Sequence, residues 1–140
     1  LRSDETAFVL VATPEEHVLR EVAFFADKVH ELGMRLRGVV FNRVHHAMAE
    51  EGAVISDTKL QTLVQDVAPS TRAAQRLVEN FNQYETLGRG DSQRIQDFQR
   101  KLPATVSVVE IPNFESDVHN LEGLQAMHPY FTGEAGQQRG

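Results

Sequence analysis

Cysteine is absent from the 140 residues. That absence excludes a disulfide framework, a Cys-ligated zinc and a thiol nucleophile. Positive charge is scarce as well: 14 Lys and Arg stand against 20 Asp and Glu, and the net charge is −6. Surfaces that bind nucleic acid or anionic lipid need clustered cations to replace counterions. The longest basic run here is Arg100-Lys101, so no nucleic-acid partner is expected. No stretch approaches the roughly 20 apolar residues that span a bilayer, and direct membrane insertion is not expected either. Residues Leu1 to Glu5 are polar, unlike a signal peptide, and no Asn-x-Ser/Thr site occurs. A cytoplasmic address follows as the expectation. The first residue is Leu, which suits a piece of a longer polypeptide.

Phosphate chemistry is missing from the motifs. None of the nine glycines is followed by Lys, so the G-x-x-x-x-G-K-[ST] loop is absent. Gly88-Arg-Gly90 has Gln93 where a dinucleotide fingerprint needs its third glycine. The serines lack a Gly-x-Ser-x-Gly elbow, and no nucleophilic triad is supported. No catalytic residue is assigned.

What is present reads as an ordinary globular chain, 41% hydrophobic. Thr6 to Ala12 is a continuous apolar run without alternation, the pattern of a strand covered on both faces. Thr13-Pro14-Glu15-Glu16 predicts a helix start, with Thr13 as cap, Pro14 at the first position and Glu16 closing a capping box. Val18, Val22, Phe25, Val29 and Leu32 form a helical stripe, and Gly33 is placed to end it. Gly38 to Val44 reads as a second buried strand, completing a βαβ unit. His45 to Ser56 reads as a loop and Asp57 to Ala68 as a short helix. Pro69-Ser70 opens a longer helix that Gly88-Arg-Gly90 breaks; Asp91 then caps a further helix that Pro103 stops. Thr105 to Ile111 is a third strand, and Asp117 to about Tyr130 is helical at its centre. The expected architecture is α/β, a partial doubly wound parallel sheet of about three strands with helical crossovers. Residues 1–131 form a single domain with a helical insert at about 57–102, and 132–140 form a disordered tail.

Six histidines raise a metal question. His45-His46 and the Asp117/His119 pair follow strand ends, where a parallel sheet collects its loops. Adjacent residues rarely ligate one ion together, and no His-x-x-x-His spacing exists, so solvated loop histidines are expected and no metal. Glu15, Glu16 and Glu21 near a helix N-terminus fit the macrodipole. Asn42 is more specific, because it interrupts an apolar strand at the carboxyl end, where open α/β sheets bind ligands. Pro112-Asn113-Phe114 follows the third strand at the matching end. An amide beside Pro and Phe suits a base, edge to amide and face to ring.

Three segments, in order, resemble the ArsA-type anion-transporting ATPases, relatives of the tail-anchored-protein-targeting ATPases, MinD and nitrogenase iron protein. Phe8-Val-Leu-Val-Ala-Thr-Pro-Glu-Glu16 is similar to the family's strand-Thr-x-Pro-Glu-helix. Gly38-Val-Val-Phe-Asn-Arg-Val44 is similar to its Val-Val-Asn strand, where Lys, Arg or Gln follows, here Arg43. Val108 to Phe114 with Asp117 to Leu124 is similar to its last strand, adenine loop and C-terminal helix. The match covers about residues 6 to 131. It implies the C-terminal part of a P-loop ATPase working as a nucleotide-sandwich homodimer on ATP/ADP. Asn42 with Arg43 then recognises adenine, Pro112, Asn113 and Phe114 pack on the base, and Glu15 reaches a ribose across the dimer. The P-loop Lys, switch segments and Mg-holding Asp belong to an N-terminal half, so Mg is expected only with that half. The 140 residues alone are expected not to hydrolyse ATP. A membrane-protein client or pump is the implied partner. The Cys-x-x-Cys zinc clasp of the targeting branch is missing. The alternative is a freestanding, non-enzymatic interaction or dimerisation module, and a third reading is a metal enzyme using His45, His46 and His119.

Overall fold

The computed structural model describes residues 6–48, 57–65, 70–114, 118 and 120–133. The elements run β1 (Ala7–Ala12), α1 (Glu16–Glu31), β2 (Arg35–Val44), α2 (Asp57–Gln65), α3 (Thr71–Gln99), β3 (Ser107–Pro112) and α4 (Leu121–Thr132). The strands form one parallel sheet in the order β1-β2-β3. The fold is α/β, as the apolar runs and the helical stripe between them require. The chain divides into two compact units, Leu1–Val44 with Gln93–Gly140, and His45–Ser92.

The first unit holds the sheet. Its core joins Ala12, Val39, Phe41 and Val44 from the strands to Val22 of α1, Ile95 and Phe98 of α3, and Val106. Phe41 and Phe98 meet edge to face, with centroids 5.7 Å apart. Complete burial of side chains this size contributes roughly 1.5–3 kcal/mol each. Gly33 ends α1 as expected, at φ +68°. Its N–H donates to the His30 carbonyl and that of Met34 to Val29, both at 2.9 Å, the Schellman pattern.

Three expectations about this unit change. Helix α1 begins at Glu16 with Glu15 as its N-cap and no side-chain cap bond, so Thr13 does not cap it. The turn before it is held otherwise, because the buried Pro14 gives its carbonyl to Arg94 Nε at 2.7 Å. Of the α1 stripe, Val22 and Val29 are buried, whereas Phe25 and Leu32 are at least half exposed. Strand β1 is covered on one face only: Val9 and Val11 are 55% and 68% exposed, while Ala12 is buried. Among the described residues, α1 and α3 pack on the face that carries Leu10 and Ala12, while α4 lies against β3.

In the second unit the expected break is absent, and α3 runs unbroken through Gly88-Arg-Gly90. Its start is as expected, with Ser70 Oγ accepting from the Ala73 N–H at 3.2 Å. Gly88 serves a close approach rather than a stop, since a Cβ there would overlap the backbone of His46 and Ala47. Asp91 caps no helix. Its Oδ2 accepts from the His45 N–H at 2.9 Å and lies 2.8 Å from His45 Nδ1. Helix α4 starts at Leu121, with Asn120 Oδ1 accepting the Gly123 N–H at 2.9 Å. Thr132 belongs to that helix, and the remaining tail, 134–140, lies outside the described residues.

Candidate functional site

Parallel strands carry their carboxyl ends to one edge of the sheet, and all six residues singled out for ligand binding lie there. Ala12 of β1 pairs with Phe41 of β2, which places Glu15 in the loop leaving the first strand beside the end of the second. Val44 of β2 pairs with Pro112 of β3. The Asn113 N–H donates to the Val44 carbonyl at 2.9 Å, extending the ladder one residue past the strand.

Between those anchors the ladder is irregular. Phe41 pairs with Glu110 and Val44 with Pro112, so β2 carries one residue more than β3 over this step, a β-bulge. Arg43 occupies the left-handed region at φ +58°, the one such non-glycine residue among those described. A non-glycine residue there costs on the order of 1 kcal/mol. Asn42 offsets part of this strain: its Oδ1 accepts the Arg43 N–H at 2.9 Å and stabilises the turn. That bond takes one lone pair of the side-chain carbonyl and leaves the amide NH2 and the second lone pair of the oxygen for other partners. Asn42 is half-buried and Arg43 exposed.

Phe114 is half-buried against Tyr130 of α4, edge to face with centroids 6.2 Å apart. The pair makes a fixed aromatic wall just past β3. Tyr130 was not recognised from the sequence, although its place near the end of an amphipathic helix was the available signal. Arg94 was also missed; an exposed-looking arginine on α3 gives no sign that it holds a carbonyl 80 residues away. Glu15 is exposed, with its Oε2 3.5 Å from His17 Nε2. The edge therefore offers an amide, a guanidinium, a carboxylate and an aromatic wall. Among the described residues it offers no Lys set to hold a triphosphate.

The amino edge of the same sheet is different. A cleft of about 530 Å³ opens there, floored by Met34, Leu36, Leu102 and Val106, with Arg37 and Lys101 among its lining residues. None of the six residues lines it.

Two further polar groups belong to the second unit. His45 is held by Asp91, which is 4% exposed, and its ring meets Tyr84 edge to face at 5.7 Å. The Met48 N–H donates to Glu85 Oε1, and Arg89 Nε lies 3.6 Å from Glu85 Oε2. Among the described residues no group of three His, Asp or Glu could hold a metal ion. Asp117 and His119 lie outside the described residues.

Comparison with known proteins finds no matching family model and no matching curated protein. Among the described residues no helix is long and apolar enough to cross a membrane.

Proposed function

We propose that the carboxyl edge of the sheet recognises an adenine nucleotide by its base, and that the chain is the C-terminal part of an ArsA-like ATPase. The observation that carries this reading is the gathering of three separate sequence segments at one sheet edge, where the pairings Ala12–Phe41 and Val44–Pro112 set Glu15, Asn42–Arg43 and Pro112–Phe114 side by side. Base pockets need few polar groups and an apolar wall. Asn42 supplies the hydrogen-bonding edge, Pro112 and the Phe114–Tyr130 pair the wall, and Asn113, tied to Val44, the fixed rim. Glu15 suits a ribose hydroxyl, and Arg43 suits a phosphate or a neighbouring carboxylate.

Phosphoryl transfer needs a phosphate loop, Mg and a positioned water. The reading assigns these to a P-loop-bearing portion, and assigns base recognition and contacts with a second copy, a client or a pump to these residues. A cytoplasmic address belongs to the same reading.

The test is a titration of the 140-residue protein with AMP and ATP, followed by amide NMR. Both nucleotides are expected to bind weakly and within about threefold of each other, because the phosphates contribute little here. Shifts should map to residues 42–44 and 112–114. Asn42→Ala should weaken both by roughly tenfold, the loss of one or two hydrogen bonds. Much tighter ATP than AMP, or shifts elsewhere, would remove the base-recognition reading.

A further inference from the structure

Helix α1 has two unlike faces. Val18, Leu19, Val22 and Ala23 turn toward the core. The outer face carries His17, Glu21, Phe24 and Lys28, and Phe25 and Leu32 adjoin it at the exposed edge of the buried stripe, Leu32 at the C-cap. Phe24, Phe25 and Leu32 are 58%, 56% and 50% exposed. Two adjacent phenylalanines at that exposure form a concentrated apolar patch, the kind that marks an interaction surface rather than scattered surface hydrophobicity. Their rings are 6.1 Å apart, edge to face, and Lys28 Nζ stands 5.7 Å from the Phe24 centroid. A shallow hollow lies among His17, Arg20, Glu21 and the two rings.

The order of charges along this face suits a second copy of the chain. The helix spans Glu16–Glu31, so the aromatic pair sits at its midpoint. A twofold axis between Phe24 and Phe25 would lay a second α1 antiparallel on the first. Glu21 of each copy then faces Lys28 of the other, and His17 faces Leu32. Opposite charges meet on both sides of an aromatic centre, as a self-complementary interface requires. A net charge of −6 per chain disfavours most ways of bringing two copies together; this face places cation against anion. Lys28 already bonds Glu31 on its own helix, so in the pair it stands between two carboxylates.

We propose that α1 is a self-association surface, whose occupant is a second copy of this chain paired antiparallel through Phe24 and Phe25 with Glu21–Lys28 contacts setting the register. The pairing needs no nucleotide, which separates it from any nucleotide-bridged dimer of the reading above. One helix face per copy is at the small end of specific interfaces, so the dimer is weak and exchanges rapidly.

Sedimentation equilibrium without nucleotide, from micromolar to millimolar protein, tests this. The wild-type chain is expected to show a monomer–dimer equilibrium, and Phe24→Asp/Phe25→Asp to remain monomeric. Glu21→Lys alone and Lys28→Glu alone should each weaken dimerisation by roughly tenfold through like-charge contacts. An equimolar mixture of those two variants should restore it to within about threefold of wild type, since both contacts are then opposite in sign. Circular dichroism on each variant confirms that the fold is kept; these side chains lie outside the core. A monomer at every concentration would overturn the proposal. So would a dimer that survives the double Asp variant, as one built on the exposed Val9 and Val11 would, or a mixture no stronger than its components.

Discussion

Helix α3 is held in two different ways along its length, and the two ways differ in how far the sequence reveals them. Near its end, Ile95 and Phe98 are buried in the apolar core with Val39 and Phe41. Earlier, Glu85, Gly88 and Asp91 hold the segment from His45 to Met48 by two buried carboxylates and a missing side chain. Apolar residues at helical spacing announce the first kind of contact. The second consists of a glycine and two acids, residues that on their own signal a helix break and a new cap. Their purpose lies in a partner about 40 residues away, which no local pattern contains. Two glycines in a helix cost roughly 1 kcal/mol each relative to alanine, and here one of them permits the backbone approach that brings the carboxylates within bonding distance.

Substitutions at the two places should have opposite characters. Phe98→Ala removes a ring 6% exposed that packs edge to face on Phe41, and should cost about 4 kcal/mol, the large-to-small penalty for a buried aromatic. Urea unfolding followed by circular dichroism measures it; a loss below about 1 kcal/mol would mean that the core tolerates the cavity. Gly88→Ala is the sharper test. If the glycine only weakened the helix, alanine would stabilise it by roughly 1 kcal/mol. The close approach requires instead that residues 45–48 be displaced, at about 2–3 kcal/mol. Amide exchange of His45 and Met48 should accelerate markedly while that of Val39 and Phe41 changes little.

Much of the sheet was legible and its edges less so. The apolar runs at Thr6–Ala12, Gly38–Val44 and Thr105–Ile111 located all three strands, because strand burial writes itself into hydrophobicity. The lateral coverage of β1 did not: Val9 and Val11 read like Leu10 and Ala12, and only tertiary packing distinguishes a covered face from an exposed one. The exposed Phe25 illustrates the same limit, since it shares the spacing of the buried Val22 and Val29. At the candidate site, Asn42 and Pro112–Phe114 were visible as polar or rigid interruptions after apolar runs. Tyr130 and Arg94 were not, because their roles come from contacts across the fold. Concavity was invisible too: the amino-edge cleft is built by a helix end and a turn, without any motif of its own.

The smallest expected effect lies at the bulge, where the sequence showed Asn42-Arg43 but not the conformation between them. At φ +58° a β-branched side chain clashes with its own backbone, whereas glycine and asparagine fit. Arg43→Val should therefore lower stability by about 1–2 kcal/mol, and Arg43→Asn should leave it within about 0.5 kcal/mol. An ordinary extended strand residue would show the reverse order, since valine favours strands over asparagine. Thermal unfolding of the two variants against the wild type decides between them. Because the strain sits beside Asn42, Arg43→Val should also disturb the Asn42–Arg43 bond and broaden the NMR signals of residues 42–44. That loss of order would reach the proposed base contact without touching the Phe114–Tyr130 wall, and so would separate a positioned amide from an aromatic platform as the source of whatever affinity the edge has.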